Sequence, residues 1–275
     1  MLKLKTTDPL GDRMKAYEAR TELNLLPMIP TFARVDGRAF HNFTKGLCRP
    51  FDVKFNFIMR ETALELAKET NACMAYTQSD EITLAWLSTD PKSEIWFNYR
   101  HSKMVSQLAA LATIHFYQNC VEVLPEYAKK TPTFDARVWQ VPNTTEGANI
   151  FLWRELDATR NSISMAAQAY YSHKELHEKN SSEKQKMLMK KGINWENYSK
   201  QFRRGSYIQR RKFSSPFTAE EIEKLPSKHE ARKNPNLVIE RSSYVEINMP
   251  IFSTITNKED VIFNGAGPIE KKIVD

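Results

Sequence analysis

Two acidic turns carry the chemistry that this chain could perform. Thr31-Phe-Ala-Arg-Val runs as a β-rich stretch into Asp36-Gly37, and Ala75-Tyr-Thr-Gln-Ser runs into Asp80-Glu81. Two carboxylates held about 4 Å apart repel by roughly 4 kcal/mol at an effective dielectric near 20. A fold that brings Asp36 and Asp80 together must protonate one of them or take up a cation. Their oxygens, with the carbonyl of Gly37, suit Mg²⁺, whose shell is completed by water and substrate phosphate. Two such ions would align an attacking oxygen, a phosphorus and a leaving oxygen. Taken singly, Asp-Gly is an ordinary turn and Ser-Asp-Glu an ordinary hairpin tip. Only their convergence makes a metal site.

Sequence order predicts that convergence. Thr31–Val35, Met74–Gln78, Ile82–Leu87 and Phe134–Val141 read as strands. Val53–Glu69 and Asn98–Tyr117 carry apolar residues at helical spacing. The order is β-α-β-β-α-β, a split βαβ or ferredoxin-like plan, in which the third strand inserts antiparallel between the first two. The end of the first strand then lies beside the turn joining the second and third. Upstream, Asp12–Leu25 reads as a helix burying Met14, Tyr17, Leu23 and Leu25 and ended by Pro27 and Pro30.

Phosphate-binding groups are available near these turns. Arg100, Ser102 and Lys103 open a helix, where cationic side chains and free backbone N–H groups suit a triphosphate. Arg38, His41 and Arg49 follow Asp36 closely. Beyond Pro142, a helical region from about Ala148 to Ser172 places Arg154, Asp157 and Asn161 at i, i+3 and i+7, beside Trp153 and Leu156. Helix is expected to continue through Glu175–Met189. Thr218-Ala-Glu-Glu221 has the form of a capping box, and Val238–Glu240 and Tyr244–Asn248 read as short strands.

The bulk numbers narrow the class. Net charge is +7, and His173–Lys212 alone holds twelve Lys/Arg against four Asp/Glu. Such a local excess suggests a polyanionic partner or a solvated helix face. No apolar run reaches membrane-spanning length, and residues 1–8 have no apolar signal region. Three widely spaced cysteines argue against a disulfide framework or a zinc site and fit a reducing cytoplasm. His173 and His177 stand four apart but lack the HExxH arrangement, so zinc is not expected.

As a set, Val35-Asp-Gly-Arg-Ala-Phe-His41, Gln78-Ser-Asp-Glu81, Arg100-His-Ser-Lys103, Phe134-Asp-Ala-Arg-Val138 and Trp153-Arg-Glu-Leu-Asp157 resemble the tRNA-histidine guanylyltransferase superfamily. Arg203-Arg-Gly-Ser206 is similar to that family's late basic motif. The resemblance covers residues 10–212. It implies an α+β fold with a polymerase palm-like sheet in residues 1–143, and a helical, basic RNA-binding region with a small C-terminal extension in 144–275. It further implies that Asp36, Gly37 and Asp80 bind two Mg²⁺ ions, with Glu81 in support. Arg38, Ala39, Phe40 and His41 would line a nucleotide pocket, with Arg49, Ser79, Arg100, Ser102 and Lys103 on the phosphates. Arg137, Arg154, Asp157, Asn161, Arg203 and Arg204 would face RNA.

The implied reaction extends RNA in the 3′-to-5′ direction. A 5′ end is activated with ATP, or already carries a triphosphate, and the 3′-hydroxyl of an incoming nucleotide such as GTP attacks it. Where eukaryotic members carry His-Ile-Asn-Asn, this chain has Thr159-Arg-Asn-Ser162. That pattern is similar to the guanylyltransferase-like branch, for which the resemblance implies template-dependent repair of tRNA 5′ ends, and a homotetramer. A palm-fold nucleotide cyclase and a non-catalytic RNA-binding protein are the rival readings.

Overall fold

The computed structural model describes residues 8–234 and 236–271. Residues 1–7, on which the absence of a signal region rests, lie outside them.

The chain opens with α1, Pro9–Ala19, and β1, Thr31–Gly37. A single turn, α2 (Phe40–Phe43), leads to α3, Val53–Thr70, and then to the hairpin of β2, Met74–Gln78, and β3, Glu81–Trp86. Next come α4, His101–Val123, the short α5, Pro125–Ala128, and β4, Phe134–Gln140. The long α6, Thr144–Gln168, precedes three short helices: α7 His173–Leu176, α8 Ser181–Lys190 and α9 Lys200–Arg204. The chain finishes with β5, Ser206–Pro216, α10, Ala219–Lys224, β6, Val238–Ile247, and α11, Lys258–Phe263.

The strands form one six-stranded sheet in the order β4-β1-β3-β2-β5-β6, with antiparallel pairing throughout. Its first four strands have the expected split order, with β3 between β1 and β2. Alternation along β1 sorts side chains between two layers. Ala33 and Val35 pack with α3 and α4, in a core that includes Ile58, Leu66, Met104 and Phe116. Phe32 points the other way, into a core with Phe151, Tyr207, Phe252 and Val261. By the same alternation Arg34 and Asp36 share the face covered by α6.

Local signals explain the elements that frame the site. The Asp52 side chain accepts the amide of Phe55 and starts α3, while Asn71 ends it in a left-handed conformation. Asn143 caps α6 by accepting the amide of Glu146. The Thr218 capping box is present as read.

Several expectations change. The N-terminal helix ends at Ala19 and buries none of its residues; Met14, Tyr17 and Leu23 are exposed because no layer among the described residues covers that face. The helix expected through Glu175–Met189 breaks after Leu176, where Glu178 takes positive φ and Asn180 caps a new start. Strand β5 carries no clean alternation because Arg210-Arg211-Lys212 follows its buried Tyr207, Ile208 and Gln209. It nonetheless pairs with β2 and, over ten residues, with β6, which is one strand rather than two. Region 144–275 is therefore not helical throughout. Its strands extend the sheet begun by residues 1–143, so the boundary at 143/144 does not separate two sheets.

Candidate active site

The acids meet at one end of the sheet. Asp36 stands opposite Glu81 in the β1–β3 ladder and opposite Asp135 in the β1–β4 ladder. The Gly37 amide donates to the Asp80 carbonyl at 3.0 Å, which fixes the hairpin tip against the end of β1. Ser79, beside it, holds φ of 55°, a left-handed conformation that costs a non-glycine residue energy and recurs at functional turns. Gly37 has no room for a side chain, since a Cβ there would collide with the Phe40 ring.

Two arginines organise the carboxylates. Arg154 of α6 places Nε 2.7 Å from Glu81 Oε1, and its Nη2 donates to Oε2 at 2.8 Å. Arg34 Nε lies 3.8 Å from Glu81 and 4.0 Å from Asp36. Arg154 also reaches Asp157 at 3.4 Å, and Asp157 takes a further bond from Arg160. Glu81 is thus held between cations, whereas Asp80 forms no ion pair among the described residues.

Burial raises the pKa of all three acids. It pushes Glu81 up to about 7 despite Arg154 and Arg34. Asp36 is raised by burial and by Asp135, against the pull of Arg34. Asp80 is raised by burial and by Asp36, although hydrogen bonds from its own amide and Ser79 oppose this. Deprotonating Asp36 and Asp80 together is costly without a cation between them. Among the described residues no group of three His, Cys, Asp or Glu side chains is arranged to hold a metal. Two desolvated carboxylates do fit Mg²⁺, which binds through one or two carboxylates and fills its shell with water and phosphate.

Two adjoining hollows surround the acids. One, of 290 Å³, is lined by Asp36, Asp80, Glu81, Arg154 and Asn161, with Tyr76 at its base. The other, of 510 Å³, runs between the 41–56 segment and α6 and α9, with His41, Arg49, Phe51 and Phe202 on its walls. Gln78, Ser79, Met165 and Gln168 line both, so the hollows are continuous. The larger has the size of a small-ligand site, and both cationic groups and aromatic rings line it. Phe51 and Phe202 stack at 5.0 Å with planes 4° apart.

The expected residues divide accordingly. His41, Arg49 and Ser79 line the larger hollow, and Arg154 and Asn161 line the smaller, with Asp157 bonded to both. Phe40 lines neither hollow: it is buried in the core, 4.9 Å from the rings of Phe43 and Phe134. Arg38 and Ala39 are exposed beside it, and the Arg38 amide donates to Thr133.

Arg100, Ser102 and Lys103 do not join the acids within this chain. Helix α4 begins where the His101 amide bonds to Leu23 and Arg100 approaches Glu22. It runs about 34 Å, and its later part, at Thr113 and Phe116, meets Phe134, with Phe116 also against Phe40. Arg137 is exposed on β4, in register with Arg34. Arg203 lies 5.2 Å over Trp195, and the Arg204 carbonyl accepts from Tyr76.

No sequence signal points to Phe51 and Phe202, which are far apart in the chain. Arg34 had a usable signal: it stands two residues before Asp36 and so on the same strand face.

A family model described as Thg1, tRNAHis guanylyltransferase, matches residues 11–142. An uncharacterized protein of Acanthamoeba polyphaga mimivirus is 31% identical over 60% of this chain. The chain spans 63% of that protein's length, which is less than two thirds. The tRNA(His) guanylyltransferase of Debaryomyces hansenii is 29% identical over 68% of this chain and 75% of its own length. A solved bacterial tRNA(His) guanylyltransferase (Thg1)-like protein in complex with ATP is 32% identical, with a TM-score of 0.75. That match covers 92% of this chain and 99% of the other. A similar bacterial structure in complex with GTP is 30% identical, with a TM-score of 0.68, and covers 90% and 94%. At this identity and coverage, the chain belongs to the tRNA(His) guanylyltransferase family of nucleotidyltransferases.

Proposed function

We propose that this protein extends the 5′ end of tRNA in the 3′-to-5′ direction, using nucleoside triphosphates and Mg²⁺. One observation carries the reading: a cleft sized for a nucleotide opens directly onto the pocket that holds Asp36 and Asp80. The ATP and GTP held by the similar bacterial proteins support nucleoside triphosphates as substrates. The split strand order supports a palm-like description of the first four strands.

In this reading Asp36 and Asp80, with the Gly37 carbonyl, hold two Mg²⁺ ions. Bound there, the metal supplies charge for phosphate and lowers the pKa of an attacking hydroxyl. Arg49 and His41 take the triphosphate along the wall of the larger hollow. Ser79 borders both hollows and positions the phosphate that reacts. Arg34 and Arg154 pair with Glu81, which supports the site beside Asp36, and keep the strand ends in place. A 5′-monophosphate attacks ATP and displaces pyrophosphate. The 3′-hydroxyl of the incoming nucleotide then attacks the activated 5′ phosphorus and displaces AMP.

The basic stretch 173–212 would grip tRNA, mostly through its phosphates. Thr159–Ser162, in place of the eukaryotic segment, favours template-dependent repair over obligatory addition of one G. A homotetramer, arranged as a dimer of dimers, would cover apolar residues that α1 and the turn after it leave open, among them Leu10, Tyr17 and Leu26. Three free thiols are compatible with a cytoplasmic protein.

The test incubates the full chain with 5′-monophosphorylated tRNA lacking its first nucleotide, Mg²⁺, ATP and labelled nucleotides. Extension that follows the opposing template base supports repair. Addition of one G regardless of template supports the guanylyltransferase activity of the named relatives. No extension of any 5′ end overturns the proposal.

A further inference from the structure

Trp153 sits on α6 one residue before the arginine that holds Glu81, and it is 50% exposed. The guanidinium of Arg154 lies 4.4 Å from the centre of the indole and fixes one of its sides. Leu156, also exposed, and Arg160 follow at i+3 and i+7, on the same helix face. This stripe runs beside Arg154 and Asn161, which line the carboxylate pocket. Across the sheet, Arg137 is exposed and forms no ion pair among the described residues. It stands in register with Arg34, whose Nε approaches the same Glu81 that Arg154 holds.

An isolated surface leucine needs no explanation. A half-open tryptophan beside a leucine, flanked by arginines at the mouth of an acidic pocket, has a more specific match. Aromatic faces interleaved with cations bind single-stranded nucleic acid, in which bases stack on the rings and phosphates meet the charges. We infer that Trp153 is a stacking platform for the terminal base of the RNA strand being extended, outside the cleft that holds the incoming nucleotide. The inference rests on the reading of the protein as an enzyme that extends RNA. Arg154 orients the indole, and Arg137 and Arg160 meet the adjacent phosphates. Trp153 takes no part in the bond-making step.

The experiment compares wild type, Trp153→Ala and Trp153→Phe on 5′-monophosphorylated tRNA lacking its first nucleotide. A second RNA carries an abasic residue at that 5′ end. Trp153→Ala should weaken binding of the first RNA about tenfold, leave the rate at saturating RNA within twofold, and leave nucleotide KM unchanged. Trp153→Phe should recover most of the loss. On the abasic RNA, wild type and Trp153→Ala should bind alike, which a merely structural role would not produce. Equal binding of the intact RNA by both proteins overturns the inference, as does a deficit that persists on abasic RNA. A change of oligomeric state in Trp153→Ala would assign the face to a second copy and also overturn it. Wild type that neither binds nor extends tRNA removes the proposed function as well. Wild type that extends normally beside an unimpaired Trp153→Ala removes this inference alone.

Discussion

The Gly37 amide donates to the Asp80 carbonyl at 3.0 Å, so backbone, rather than either side chain, sets the two acidic turns against each other. The carboxylates are consequently placed before any ligand arrives. Such pre-placement is what phosphoryl transfer requires, since its catalysis is mostly positioning and charge stabilisation.

Removing either acid should abolish chemistry and leave the fold intact. Asp36→Ala or Asp80→Ala is expected to lower the single-turnover rate of nucleotide addition by about a thousandfold or more. Binding of tRNA should change less than threefold, because the proposed RNA contacts lie elsewhere. Parallel gel extension and filter-binding measurements decide the point. Full extension by the double variant would contradict the assignment.

Metal and nucleotide together should stabilise the protein through the same pair. At one hundred times Kd, a ligand specific for the native state adds about 2.7 kcal/mol. Differential scanning fluorimetry should therefore show a rise in Tm of several degrees with Mg²⁺ and GTP, which a chelator reverses. Asp36→Asn/Asp80→Asn should lose most of that rise. An equal shift in the double variant would place the ligand outside this pocket.

Phe40 offers a test of core against cleft. Its ring is buried among Phe43, Phe55, Phe116 and Phe134. Phe40→Ala should cost about 3–5 kcal/mol, visible as a lower denaturant midpoint, and nucleotide KM should be unaffected in the fraction that folds. Unchanged stability with a raised KM would instead return Phe40 to the nucleotide site.

Glu155 predicts a pH dependence. Burial raises its pKa above 4.5, against hydrogen bonds from the Phe252 amide and the Tyr207 hydroxyl. A carboxyl raised in the folded state binds its proton more tightly there than in the unfolded chain. Its contribution is most favourable below the unfolded value of 4.5 and is lost as pH rises through the folded value. Glu155→Gln cannot ionise. The Tm of Glu155→Gln minus that of wild type should therefore increase as pH is raised through this window. A flat difference would show that the carboxyl is not desolvated.

Much of the sheet was legible because period-two alternation and short turns specify it locally. Ala33 and Val35 point to one layer and Phe32 to the other, and the Asp36–Glu81 adjacency follows from strand order. Strand β5 was not legible, since its consecutive basic residues hide the pattern and its partner β2 lies more than a hundred residues upstream. The same limit applies to the site. His41, Arg49 and Ser79 are near the acids in sequence and line one hollow. Phe202 reaches the cleft only through the fold, and Arg100 and Lys103 look adjacent in function but stand at the start of a long helix pointing elsewhere.

Glu155 joins α6 to Tyr207 on β5 and to the backbone of Phe252, contacts made with residues 52 and 97 positions later. Glu259 likewise holds Thr144 and Thr145 at the start of that helix. During synthesis, therefore, both acidic turns and Arg154 emerge before the partners that seat the helix, Tyr207, Phe252 and Glu259. The surface that would receive RNA acquires its final shape only when the ribosome has delivered residues up to Glu259.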